Sequence, residues 1–405
     1  MAGIADSESE IKAARSFLCP TSTAPIGLHV RRARGSFIYT QEGRTYLDFI
    51  SGIGVANIGH AHPEVISAIC RQAKQYLHVM VYGEYVQTPQ VTLAARLAKL
   101  LPNPLSMVYF TNSGTEANEG ALKVAKKFTG RKKLISFDGS FHGDTHGSCS
   151  VTGRAIYRQP FQPLLPGVSF LPFGETRFLK KIDTSVAAVI VEPVQAEGGI
   201  RVPRPDFLPA LRARCREVGA LLIFDEAQTG FGRTGKLFAM EHAPGVVPDI
   251  VTLAKALGGG MPLGAFVGSR RIMKTLSYAP PLSHVTTFGG HPVSCAAALA
   301  SLEIILRENL ADRAAQMGET LQAALRALAH TAPAIVEVRG LGMMIGMEFA
   351  NQKITARFVK RARHAGLLLG FTLHSDRVVR IAPPLTLSES EMAQGLYLIK
   401  KSLRF

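Results

Sequence analysis

Apolar positions in the middle of the chain come in short, nearly unbroken runs. They fall at residues 108–110, 134–137, 187–191, 221–225, 250–253 and 265–267. Between them lie stretches of helical periodicity, notably the Ala- and Lys-rich residues 117–128 and residues 207–217. Strands that do not alternate apolar with polar are covered on both faces, so the pattern predicts a mostly parallel sheet with helices on each side.

The ends of the chain read differently. Residues 35–49 predict a hairpin with its turn at Glu42-Gly43. After His291 the periodicity predicts helix to about Ala329, strands at 335–338 and 342–349, a helix over 354–365 and a last strand at 378–381. The fold class is therefore α/β. Residues 51–290 make the large domain, while 1–50 and 291–405 make a smaller α/β domain.

Composition narrows the class. A chain of 405 residues is long enough for two cores, and an apolar content of 47% excludes a disordered protein. No apolar run reaches membrane-spanning length, and the polar residues 1–16 lack the apolar stretch of a secretory signal. The five cysteines are scattered with no CxxC pair, which predicts free thiols and a cytoplasmic location. The net charge of +16 is spread along the chain, and its densest cluster, Arg31, Arg32 and Arg34, is short. That distribution fits a basic enzyme with no nucleic-acid partner and no membrane partner.

The chemistry concentrates at two run ends. The run 221–225 ends in Asp225, and Lys255 follows another apolar approach and precedes Gly258-Gly259-Gly260. An Asp that can hold a pyridinium and a Lys that can form an imine are the two groups pyridoxal 5'-phosphate needs. Ser113-Gly114-Thr115 stands between a strand and a helix, as either a phosphate cradle or an ordinary N-cap. Phe141 follows the next strand, where an aromatic can stack on a cofactor ring or simply fill a loop.

Two patterns are set aside. His142 and His146 have metal-ligand spacing with Asp144 between them, but Gly143 and Gly147 argue against the helix such a site needs, so no metal is expected. Residues 230–237 match GxGxxG and, up to Leu237, a P-loop, but no strand-to-helix turn frames them. Arg380 is a lone charge in an apolar run, as either a structural pair or a carboxylate clamp.

Taken in order, the segments Thr111-Asn112-Ser113-Gly114-Thr115-Glu116-Ala117-Asn118, Phe141-His142-Gly143, Glu192-Pro193-Val194-Gln195, Asp225-Glu226-Ala227-Gln228-Thr229-Gly230, Leu253-Ala254-Lys255 and Thr286-Thr287-Phe288-Gly289-Gly290 resemble the class III aminotransferases of fold type I. Acetylornithine, ornithine, 4-aminobutyrate and putrescine aminotransferases belong to that group. The resemblance runs from about Thr23 to the C-terminus.

The resemblance implies that Lys255 is the Schiff-base lysine and Asp225 the pyridinium partner. It implies that Ser113, Gly114 and Thr115 hold the phosphate, with Thr287 reaching the phosphate of a neighbouring subunit in a homodimer with shared sites. Phe141 would stack on the ring, His142 would belong to the cofactor site, and Gln228 would bond the phenolic oxygen. Arg380 would bind a substrate carboxylate, and Glu197 would pair with Arg380 when none is present. The implied activity moves an ω-amino group from a small amine or amino acid, such as a diamine, ornithine or acetylornithine, to a 2-oxo acid by a ping-pong mechanism. The rivals are a same-fold decarboxylase or aminomutase, and a non-catalytic protein that keeps the fold. The intact Lys255 and Asp225 argue against the last.

Three positions depart from the group's pattern. Ala227 replaces a Val under the ring, and His291 replaces an Asn. Asp144 stands where acetylornithine and ornithine enzymes carry an Arg that meets a substrate carboxylate. An acid there would suit the distal ammonium of a diamine, and residues 157–167 also resemble the putrescine branch.

Overall fold

The computed structural model describes residues 7–23 and 25–404, so the first six residues of the polar N-terminal segment lie outside it. Its centre is a seven-stranded sheet in the order Met107–Thr111, Gly264–Gly268, Ile250–Leu253, Leu221–Asp225, Val186–Val191, Lys133–Phe137, Val168–Leu171. Gly264–Gly268 alone opposes its neighbours, and the other strands run the same way. Val186–Val191 and Leu221–Asp225 are buried along their whole length, which is why their sequences do not alternate.

The helix Gly114–Thr129 shows how the sequence sets one element. Ser113 caps its N-terminus by accepting the Glu116 N–H, and Gly130 ends it in the left-handed region at φ 68°. Ala117, Ala121, Leu122, Val124 and Ala125 face inward, so this helix lies along the sheet with its N-terminus at the carboxyl ends of the strands. Those ends deliver Ser113, Glu192, Asp225 and Lys255 to one rim, the usual binding edge of such sheets.

Two smaller four-stranded sheets flank this centre. In one, Leu367–Leu368 pairs in parallel with Thr45–Asp48, joining the N-terminal hairpin to the C-terminal third. In the other, Ile335–Leu341, Met344–Phe349, Ser375–Ile381 and Gly370–Thr372 lie side by side. The predicted hairpin forms with its turn at Glu42 and Gly43.

Several boundaries differ from the prediction. The long helix after His291 is two helices, Pro292–Arg307 and Leu310–Thr331, broken where Asn309 adopts φ 49°. The strand predicted from Gly342 starts at Met344, because Gly342 turns at φ 53°. The strands Val30–Arg34, Leu367–Leu368 and Gly370–Thr372 and the helices Pro63–Gln75, Thr88–Leu100 and Glu389–Ser402 add to the prediction. Residues 230–237 form a folded-back loop rather than a nucleotide-binding turn. The Arg233 guanidinium is buried there against Asn57 and the carbonyls of Met343 and Pro383. Among the described residues, no helix is long and apolar enough to cross a membrane.

Candidate active site

A cleft of about 270 Å³ opens at the carboxyl rim of the central sheet. Gly114, Thr115, Phe141, His142, Asp144, Glu197, Asp225, Gln228 and Lys255 all line it. Residues spread over 142 sequence positions thus meet in one place, because consecutive parallel strands all end at the same edge.

Asp225 lies at the base. Its Oδ2 is 2.8 Å from Nδ1 of His142 and accepts the Asn118 amide at 2.8 Å, while Oδ1 accepts the Ala227 N–H at 3.0 Å. Burial alone would raise this carboxyl, but the His142 ring and the two N–H donors hold it below the ordinary value. Asn118 is held in turn by the Thr252 hydroxyl, which donates to its Oδ1 at 2.7 Å. A second buried carboxyl, Glu192, accepts the N–H groups of Phe141 and Ala196, and burial pushes it up to about 7.

Lys255 sits one residue beyond the buried Ala254, in the left-handed region at φ 50°. A non-glycine residue pays for that geometry in strain, and such strain persists where the fold over-determines the backbone. Burial depresses its ammonium, opposed by Glu197 and Asp225. An amine lowered this way is closer to the neutral, nucleophilic form.

The helix N-terminus divides its tasks. Ser113 Oγ accepts the Glu116 N–H as the helix cap, which leaves its O–H free to donate, and Gly114 and Thr115 face the cleft. A Cβ at Gly114 would come within 3.3 Å of both Ala227 and Ala254, a tight fit that favours glycine at this helix N-terminus. Thr115 Oγ1 shares a hydrogen bond with Thr145 at 2.8 Å.

At the other end, Glu197 and Arg380 form a buried ion pair. Gln228 joins them, donating to Glu197 at 3.4 Å and accepting from Arg380 at 3.1 Å. Burial by itself would raise the Glu197 carboxyl; Arg380 and the Leu373 N–H outweigh it and hold it down. Asp144 is exposed on the rim with no ion-pair partner among the described residues. Arg154 and Arg158, candidate partners on the following segment, donate instead to the carbonyls of His374 and Thr152. Thr287 is exposed, outside the cleft of its own chain.

The family Aminotransferase class-III matches residues 19–403. The chain belongs to the class III aminotransferases. It is 41% identical over 389 residues to the acetylornithine aminotransferase of Methanothermobacter thermautotrophicus, covering 96% of each chain. It is 44% identical over 376 residues to the putrescine aminotransferase of Pectobacterium atrosepticum, covering 90% of this chain and 79% of the relative. Among solved structures, the ornithine aminotransferase of Toxoplasma gondii superposes with a TM-score of 0.91 at 32% identity, covering 98% of this chain and 94% of the other.

This class III aminotransferase uses pyridoxal phosphate. Its residues fit the group: a helix N-terminus presenting Gly114 and Thr115, a buried anionic Asp225 and a depressed lysine line one cleft. Asn118 and Glu192 lie inside the motifs, and the sequence by itself assigns them no role. The signal in the sequence was a polar residue in the middle of an otherwise Ala-rich buried helix face, and a carboxyl directly after a wholly apolar run.

Proposed function

We propose that this aminotransferase takes an ω-amino group from a small donor, a diamine in preference to ornithine or acetylornithine, and passes it to a 2-oxo acid in a ping-pong cycle. The observation that carries this reading is the buried Glu197–Arg380 pair beside Gln228. A donor without a carboxylate at that end leaves the pair intact. A 2-oxo acid needs the guanidinium, and Arg380 has the bidentate geometry to hold its carboxylate once Glu197 withdraws. One cleft can then serve both halves of the cycle. The unpaired Asp144 on the rim supports a cationic distal group on the donor.

In this reading Asp225 would hold the cofactor ring nitrogen protonated, Phe141 would stack on the ring, Gln228 would bond the phenolic oxygen, and Ser113, Gly114 and Thr115 would bind the phosphate. Bound pyridoxal phosphate supplies an electron sink for the substrate carbon that loses its proton. Lys255 would hold the cofactor and move the substrate's proton at Nζ, a task its depressed ammonium suits in both directions. Asn118 and His142 keep the Asp225 carboxylate charged and aimed.

The reading includes a homodimer with shared sites. Its support is Thr287, exposed on a segment that also presents Leu282, Val285 and Phe288 to the surface. A cytoplasmic setting is supported by five cysteines that all stand as free thiols.

A screen of diamines, ornithine and acetylornithine against pyruvate and 2-oxoglutarate tests the assignment. Transfer from donors with a distal amine supports it. Carbon dioxide or an isomerised donor in place of a transferred amine would replace it with a decarboxylase or mutase.

A further inference from the structure

The two residues Leu373 and His374 join the strand Gly370–Thr372 to Ser375–Ile381, which carries Arg380. All four backbone polar groups of this turn are bound from outside the hairpin. The Leu373 N–H donates to Glu197 Oε2 at 2.7 Å, and the His374 N–H donates to the Glu197 carbonyl at 2.9 Å. The Tyr157 hydroxyl donates to the Leu373 carbonyl at 2.8 Å, and Arg154 donates to the His374 carbonyl at 2.7 Å. The His374 ring stacks on Tyr157 at 5.0 Å between centroids, and its Nδ1 lies 3.0 Å from the Gly139 carbonyl, to which it donates.

A surface turn ordinarily leaves such groups to water. Here one of them, the Leu373 N–H, consumes one oxygen of the carboxylate that covers Arg380. Glu197 Oε1 faces Arg380 and Gln228, and Oε2 is committed to Leu373. For Arg380 to accept a substrate carboxylate, Glu197 must leave it. A carboxylate held at its second oxygen by a charge-assisted bond from a rigid turn resists that movement.

We infer that the Leu373–His374 turn is a latch that holds Glu197 over Arg380, and that Tyr157 is the positioning residue that sets it. The latch biases the site toward substrates that present no carboxylate to Arg380. Tyr157 does not line the cleft, so its influence passes through the turn. The inference rests on Arg380 as the carboxylate clamp and adds what controls its availability.

The test uses the holoenzyme and glutarate, a dicarboxylate with no group to transfer, with binding measured by calorimetry. Tyr157→Phe removes the hydroxyl and keeps the ring on His374. Glutarate should bind about two- to fivefold tighter, because part of one hydrogen bond's net value no longer favours the closed pair. The KM of the 2-oxo acid should fall in step, with kcat/KM for a diamine unchanged. In a Glu197→Ala background, where there is nothing to latch, Tyr157→Phe should have no further effect on glutarate. Unchanged or weaker glutarate binding, the same change in both backgrounds, or parallel losses for glutarate and diamine would each overturn the latch. Arg380→Ala is measured alongside. If it leaves glutarate binding intact, the clamp itself is wrong; if it weakens glutarate while Tyr157→Phe does nothing, only the latch is.

Discussion

Oδ2 of Asp225 lies 2.8 Å from Nδ1 of His142, and both side chains are buried. The contact keeps a carboxyl charged where burial alone would neutralise it. A carboxyl held below its ordinary value contributes its interaction above that value and loses it as pH falls through the folded one. Replacing His142 by Phe removes that hold, so the folded value rises and the loss begins at higher pH. Cofactor absorbance followed across an acid titration should show His142→Phe releasing pyridoxal phosphate at higher pH than the wild type. Identical release curves would show that Asn118 and the Ala227 N–H suffice.

Lys255 should carry the cofactor. Borohydride treatment should trap it on the peptide containing that residue. Lys255→Ala should lower turnover by at least about a thousandfold, since no other side chain lining the cleft is an amine. Label on a different lysine would end the assignment.

Thr287 should act on a partner's site. Thr287→Ala should weaken cofactor retention by about three- to tenfold, the value of one hydrogen bond, and leave thermal unfolding of the chain unchanged. Light scattering should give a dimer. An active monomer, or a variant that unfolds earlier without releasing cofactor sooner, contradicts shared sites.

Asp144 should set donor preference. It is exposed and unpaired on the cleft rim, so solvent screens it and its effect is moderate. Asp144→Arg should move the ratio of kcat/KM for ornithine or acetylornithine over kcat/KM for a diamine upward by about fivefold. Steady-state kinetics with both donor classes decide it, and an unchanged ratio removes Asp144 from specificity.

Much of this molecule was legible before any coordinates. Unbroken apolar runs such as Val186–Val191 announce strands buried on both faces, and a charge at the end of such a run, as with Asp225, announces a side chain delivered to the sheet's edge. Ser113 and Gly130 bracket a helix by local geometry alone. The family's motifs are likewise strings of adjacent residues. What the chain order could not tell is which distant groups touch. Asn118 reaches Asp225 across 107 positions, and Tyr157 reaches Leu373 across 216. A polar Asn118 on an Ala-rich helix face marks a buried polar group but not its partner, and Tyr157 carries no such mark, because a hydrogen bond between elements depends on how they pack and not on spacing along the chain. Local chemistry determined the elements and the reactive groups; tertiary packing decided which of those groups remain free to act, since each buried donor or acceptor can be spent only a limited number of times.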